Sequence, residues 1–334
     1  MRINYIDNLK GIAIILVVMG HVEQFSLGLE DNLFRTFYNG FHMPLFMFLS
    51  GVFAMKSFKL WNLSESLLFL KKKVLRILLP FLVIGGTFYT ITNGNLLGIL
   101  GLNGEAAYWF LPALFYCMVV GWATFMIYHK ATTYLCGDKR YWFVEFSFVF
   151  IGYMVLLSMS HFFPLVVSQV PYFYKFVAMY PYFMLGTYFF QYKSIRNNME
   201  QNTHIMTVAI IVYILSWVFF DNLYIPISLM GVSAITILIN LFSSIDIRGK
   251  YLASLGRHSL EIYVLHSFFM IGLASVGVWI EEQTMPVSWL PNNDNVLLII
   301  VTSSIIAIPV ILMCLVCGKI AKRSRLFTMF LGGC

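Results

Sequence analysis

The chain has 334 residues, 60% of them hydrophobic and only 11% charged, with a mean hydropathy of +0.80. Soluble domains carry about 25% charged residues, and no soluble core buries so much apolar surface, so a water-soluble globular enzyme is excluded. The formal net charge of +7 would suggest nucleic acid as a partner for a soluble protein; here the basic residues read as loop charges that set membrane topology.

Apolar runs approaching the twenty or so residues needed to cross a bilayer fall near 9–28, 34–54, 74–92, 108–128, 142–160, 172–192, 205–220, 224–242, 259–280 and 296–317. They predict an all-α polytopic membrane helix bundle of about ten transmembrane helices, a single integral membrane domain over 1–334. The first span has a short charged lead and no small-residue cleavage site, so it reads as a retained signal-anchor. The seventh span is the shortest, and its link to the eighth, Asp221 to Leu223, is brief. Pro44, Pro80, Pro112, Pro181, Pro226 and Pro309 fall within or near spans and predict kinks. The 32 Phe and 19 Tyr supply lipid-facing surface and interfacial belts. No internal repeat is apparent, and no loop is long enough for a soluble catalytic domain, so any chemistry belongs in the bundle or at its mouths.

Alternate connections separate by charge. All of the 22 basic residues except Arg35 and Lys175 fall on one side. Glu23, Glu30, Asp31, Glu105, Asp221, Glu281, Glu282 and Asp294 cluster opposite. The positive-inside rule then places both termini in the cytoplasm. The five cysteines form no secreted disulfide framework. Cys314 and Cys317 make a CxxC inside an apolar run with no second ligand pair, which reads as packing, and no metal is expected.

The first span, IDNLKGIAIILVVMGHV, carries Asp7, Lys10 and His21. Eleven helical steps of about 100° return His21 to within about 20° of the Lys10 face, after a rise of about 16 Å. Asp7 sits one turn before Lys10 on the same face. Ionisable groups at such depths are costly and usually face a polar interior where they work. With the topology above, Asp7 and Lys10 lie at the cytoplasmic end and His21 toward the outside. The second span opens FHMPLFMFLSG and enters from outside, so His42 sits at a depth similar to His21, with Ser50 two turns deeper. Two imidazoles at one level suit a polar pocket opening outward. Histidine is the natural base for a hydroxyl proton near neutral pH, and a helix C-terminus favours the imidazolium that forms. His42 reads equally well as a packing or hinge residue beside Pro44.

LKKKVLRILLP starts the third span with Lys71, Lys72, Lys73 and Arg76. Such clusters anchor helices and meet anionic lipid heads. Four cations at a helix N-terminus oppose the dipole unless an anion is present, so a phosphorylated cofactor is the alternative. The ninth span begins LGRHSLEIYVLHSFF, in which Ser259, Tyr263 and His266 follow i, i+4, i+7 as one polar stripe, with His266 about 10 Å inside the membrane. Interhelical hydrogen bonding is the plain account of this stripe and cofactor contact the other. Glu261 points to the opposite side and snorkels toward the cytoplasmic edge. YWFLPALF, around Trp109, reads as an outer aromatic belt.

Taken in order, YIDNLKGIAIILVVMGH, FHMPLFMFLSG, KKKVLRILLPF, YWFLPALF and LGRHSLEIYVLH resemble acyltransferase family 3, integral-membrane enzymes that modify surface polysaccharides and related acceptors. The family's motif of a basic residue, ten-residue gap and histidine falls on Lys10 and His21, and its paired-basic R-x-x-R on Lys73 and Arg76. Lysine replaces arginine at 10 and 73, which keeps charge and loses the bidentate fork. Some relatives carry an appended esterase-like domain, and this chain resembles the stand-alone members. The resemblance implies acetyl-CoA, or another short acyl-CoA, as cytoplasmic donor. It also implies the hydroxyl of a surface glycan or lipid-linked sugar as outer-side acceptor, and a multi-pass protein of the bacterial plasma (inner) membrane, among lipids, without nucleic acid or metal. On that reading His21, Lys10, Asp7 and His42 are catalytic, and Lys72, Lys73, Arg76, Tyr263 and His266 bind the donor. His21 acts as general base or transient acyl carrier. A secondary transporter is the rival reading, whose sign would be related halves with broken helices at midplane.

Overall fold

The computed structural model describes residues 4–29, 33–58, 63–94, 96–100, 108–136, 142–218, 224–245, 249–270 and 296–332. Among them every regular element is helical. The chain opens with α1 (Asn4–Phe25), α2 (Leu33–Asn39) and α3 (His42–Met55). Then α4 (Leu63–Lys73) runs through two π-helical turns, Val74–Leu78 and Phe81–Gly85, into α5 (Gly86–Asn93). After a 3-10 turn at Leu96–Leu100 come α6 (Phe110–Cys136), α7 (Trp142–Phe162), the short α8 (Pro164–Val167) and α9 (Phe173–Gln191). The remainder is α10 (Lys193–Gln201), α11 (Thr203–Val218), α12 (Tyr224–Ser244) and α13 (Lys250–Arg257). Residues 259–270 form α14, and α15 (Val296–Ala321) and α16 (Arg325–Phe330) close the chain.

Among the described residues five helices are long and apolar enough to cross a membrane: Tyr5–Phe25, Ser64–Thr92, Phe110–Ala131, Val144–Phe162 and Val296–Ala321. They overlap the first, third, fourth, fifth and tenth expected spans, but the third begins at Ser64, so Lys71, Lys72, Lys73 and Arg76 lie inside the helix and not at the N-terminus expected of them. The second expected span is divided at Gly40 and Phe41 into α2 and α3, of 7 and 14 residues. Around the seventh span, α10 and α11 form a pair bent by 72°. The ninth span continues past residue 270 outside the described residues, as do the Asp221–Leu223 link and Glu281, Glu282 and Asp294.

The chain divides into two compact units, one made of the residues up to Phe46 and from Asn197 to Leu331, the other of Met47–Arg196. In the first, α1 is apolar along most of its length and correspondingly buried, with Leu9, Ala13, Ile14, Val18 and Val22 at 0% exposure. Helices α12, α13 and α15 pack around it. The approach of α13 is close: a Cβ on Gly256 would overlap the Asp7 carbonyl oxygen and come within 3.0 Å of the Lys10 Cβ. Glu261 of α14 forms an ion pair with Lys322, just beyond α15. The carboxylate expected to snorkel is therefore held by a protein cation.

In the second unit α9 packs on α6 and α7. Helix α3 meets α9 backbone to backbone, because a Cβ on Gly51 would overlap the Phe183 carbonyl and one on Gly186 the Phe48 carbonyl. This reciprocal contact is the small-residue packing typical of membrane helices. Along α7, Phe146, Phe150, Ile151 and Val155 are all more than half exposed, as a lipid-facing surface requires. Tyr108, expected in an interfacial belt, is instead buried against Phe88, while Trp109 carries the Lys175 ammonium at 5.3 Å. The prolines divide by position. Pro44, Pro112 and Pro226 lie in the first turns of α3, α6 and α12, where no amide hydrogen bond is lost. Pro181 and Pro309 are interior to α9 and α15, and Pro80 separates the two π turns. Cys314 is buried and Cys317 half-buried, both as free thiols.

Candidate active site

The polar centre of the first unit forms around the C-terminal part of α1. His21 lies one turn before α1 ends at Phe25. Its ring stacks on Phe25, with centroids 5.6 Å apart, and meets the His266 ring of α14 at 5.0 Å with a 33° tilt. His266 is at 0% exposure. Its Nδ1 lies 3.1 Å from the Ile262 carbonyl oxygen one turn earlier. A carbonyl only accepts, so Nδ1 carries the hydrogen and Nε2 keeps the lone pair. That Nε2, and Nδ1 of His21, are buried without a hydrogen-bond partner among the described residues.

Beyond the imidazole pair lies a second polar group. Tyr38 of α2 donates to the Glu23 carboxylate at 3.0 Å, and both residues are sealed, at 1% and 0% exposure. The Tyr38 carbonyl accepts from His42 Nδ1 at 2.9 Å, and the two rings meet edge to face at 5.4 Å. Gly20 makes room for this hub: a Cβ there would lie 2.9 Å from the Tyr38 hydroxyl. After α1 the chain turns back through Gly28 at φ 65°, and the Leu29 amide bonds the Glu23 carbonyl at 2.9 Å. Arg35 clamps that turn, donating to the Leu29 carbonyl at 3.2 Å and to Gln24 Oε1 at 3.4 Å. His266, His42 and Arg35 all lie within electrostatic reach of His21.

The structure thus brings together His21, His42 and His266, with Tyr263 beside the last at 5.9 Å between rings. Lys10 and Asp7 share α1 but stand about 16 and about 21 Å of helix rise from His21, where Gly256 seats α13 on their turn. Lys72, Lys73 and Arg76 belong to the second unit. There Lys73 turns its ammonium over the Phe69 ring at 5.2 Å, while Lys72 and Arg76 are exposed. Arg76 sits in the first π turn, whose wider coil opens the angle between it and Lys73.

Sequence reasoning passed over Glu23, Tyr38 and Arg35 as site residues. Their signals were present: an acid two residues after His21 inside an apolar segment, and Tyr38 at i−4 from His42. Among the described residues no group of three or more His, Cys, Asp or Glu side chains is placed to hold a metal ion.

A multi-pass helical membrane protein in which an imidazole of α1 meets one of α14 is the class these features define. The chain matches the family model for an acyltransferase domain, Acyl_transf_3, over residues 3–314, and belongs to that family. It is a membrane acyltransferase. Neither the curated proteins nor the solved structures compared with it gave a match.

Proposed function

We propose that the protein transfers an acetyl or other short acyl group from cytoplasmic acyl-CoA to a hydroxyl of a surface glycan or lipid-linked sugar at the outer face of a bacterial inner membrane. The observation that carries this reading is the His21–His266 pair, two imidazoles from facing helices whose buried nitrogens, Nδ1 and Nε2, have no partner among the described residues. Burying such groups without partners costs stability, and they are kept where a reacting group supplies the partner. His21 serves as general base on the acceptor hydroxyl or as transient acyl carrier. Lys10 with Asp7 lines the inner end of the same helix. The basic run at Lys72, Lys73 and Arg76 suits the phosphates of coenzyme A, and Tyr263 and His266 suit the acyl end of the donor. The charge bias of the loops supports the direction, with an anionic donor drawn to the cytoplasmic side.

The test is purified protein in nanodiscs with radiolabelled acetyl-CoA, wild type against His21→Ala. Wild type releases coenzyme A and the variant does not. Release that persists unchanged in the variant removes His21 from the chemistry, and a wild type that binds no coenzyme A at all favours transport.

A further inference from the structure

We infer that His266 Nε2 is the base that takes the proton of the attacking hydroxyl, with His21 Nδ1 as the second contact to that hydroxyl's oxygen. The inference rests on the acyl-transfer reading above and, within it, moves the base from His21 to His266, a residue that sequence placed on the donor.

His266 spends its Nδ1 hydrogen on the Ile262 carbonyl at 3.1 Å, so its Nε2 is obliged to accept. No group among the described residues donates to it, and the side chain is at 0% exposure. The orphan is therefore an acceptor of known polarity. Beside it, 5.0 Å away between ring centroids, His21 presents a buried Nδ1 that has no partner among the described residues either. No carbonyl or carboxylate among them pins that nitrogen, so it is able to carry the hydrogen.

One acceptor and one donor side by side are complementary to a single hydroxyl group, which donates one hydrogen and accepts others. Two acceptors would fit a cation, and two donors a carboxylate or phosphate. A hydroxyl bound between the rings gives its hydrogen to His266 Nε2 and accepts from His21 Nδ1–H, satisfying both orphans at once. Water and a sugar hydroxyl share this chemistry.

The step then balances. As the hydroxyl oxygen attacks the thioester carbonyl, its proton passes to His266 Nε2 and the new C–O bond forms. The C–S bond breaks, and the departing thiolate recovers the proton from Nε2, which restores the starting tautomer. The Ile262 carbonyl faces Nδ1–H throughout and favours the transient imidazolium. Phe25 stacks on the His21 ring at 5.6 Å and steadies it.

The experiment compares wild type with His266→Gln and His266→Asn in nanodiscs, reading coenzyme A release from acetyl-CoA with water as the hydroxyl source. Methyl glucoside is the second hydroxyl source, p-nitrophenyl acetate a second donor, and equilibrium acetyl-CoA binding is measured alongside. Glutamine places an amide near the Nε2 position without a proton-accepting nitrogen, so turnover falls by about 100-fold or more from either donor. Acetyl-CoA affinity stays within about threefold of wild type. Turnover close to wild type, or affinity lost in proportion to turnover, overturns the assignment. Faster turnover with methyl glucoside identifies a sugar as the hydroxyl bound, and no change identifies water; both require His266. If wild type cleaves p-nitrophenyl acetate but not acetyl-CoA, the acyl-CoA reading fails, and loss of ester cleavage in the variants upholds the base. Nitrogen-15 histidine spectra of wild type need no variant to fold: a His266 with a bare Nδ1 sinks the assignment, and a protonated Nδ1 upholds it.

Discussion

Tyr38 and Glu23 are joined by a hydrogen bond of 3.0 Å that ties α2 to the end of α1, wholly out of contact with solvent. The same tyrosine fixes His42 through its carbonyl. Removing the hydroxyl as Tyr38→Phe takes a donor away from a buried carboxylate, at a cost of about 1.5–3 kcal/mol. The expected result is a lower midpoint for thermal unfolding in nanodiscs. An unshifted midpoint would mean that Tyr38 contributes nothing to holding Glu23. Turnover also falls, since the helix carrying His21 is less well held.

The backbone contact between α3 and α9 gives a sharper steric test. Gly51→Val puts its Cβ into the Phe183 carbonyl, which no rotamer avoids. Overpacking at such a point costs about 1–3 kcal/mol or more, so the monodisperse fraction on size-exclusion chromatography drops. Gly152 is the control: it lies in α7, and a Cβ there meets nothing within 4 Å. Gly152→Ala gains about 0.5–1 kcal/mol from the relief of glycine's backbone entropy. Equal behaviour of the two variants would show that the crossing is not packed as described.

How far the sequence carries depends on what each feature encodes. The apolar runs announce helices, and the family follows from motifs spread along the chain, because both are local properties of the sequence. The pairing of His21 with His266 is different, since nothing in a 3.6-residue period says which helix a buried face will meet. The stripe Ser259, Tyr263, His266 was visible, yet its partner was open between another helix and a cofactor. Glu23 counts only as one of the outer-side acids, because charge alone, without the fold of α2, cannot reveal that Tyr38 covers it. The break of the second expected span at Gly40 and Phe41 is marked only by the turn pair Asn39-Gly40, which a hydropathy window averages away. The π turns around Pro80 were likewise beyond a rule that assumes 100° per residue.

The ion pair between Glu261 and Lys322 separates stability from catalysis. Lys322 is 42% exposed at its side chain and Glu261 11%, so the pair is worth less than one fully buried. Lys322→Ala leaves the Glu261 carboxylate uncompensated and lowers stability by about 1–2 kcal/mol. Combining Glu261→Gln with Lys322→Met removes both charges and recovers most of that loss. The coupling is read from a double-mutant cycle of melting midpoints. Additive losses, with no recovery in the double variant, would show that the two side chains do not interact.

Arg76 offers the cleanest division between donor binding and topology. It is exposed and lies in the π turn before Pro80, while Lys73 turns its charge onto Phe69. Of the two cations, Arg76 is thus the one left available to a phosphate. A single charge-assisted contact of about 1.5–3 kcal/mol corresponds to roughly a 10- to 150-fold change in affinity. Arg76→Ala therefore raises KM for acetyl-CoA within that range with little change in kcat, the signature of lost ground-state binding. Arg76→Lys recovers part of the affinity, since charge returns without the planar fork. His21→Ala moves kcat instead. Raising the salt concentration weakens wild-type binding and has less effect on Arg76→Ala, because one screened contact is already gone. If KM holds steady in Arg76→Ala while membrane insertion of the third helix changes, the cluster serves topology alone and the donor phosphates must be bound elsewhere.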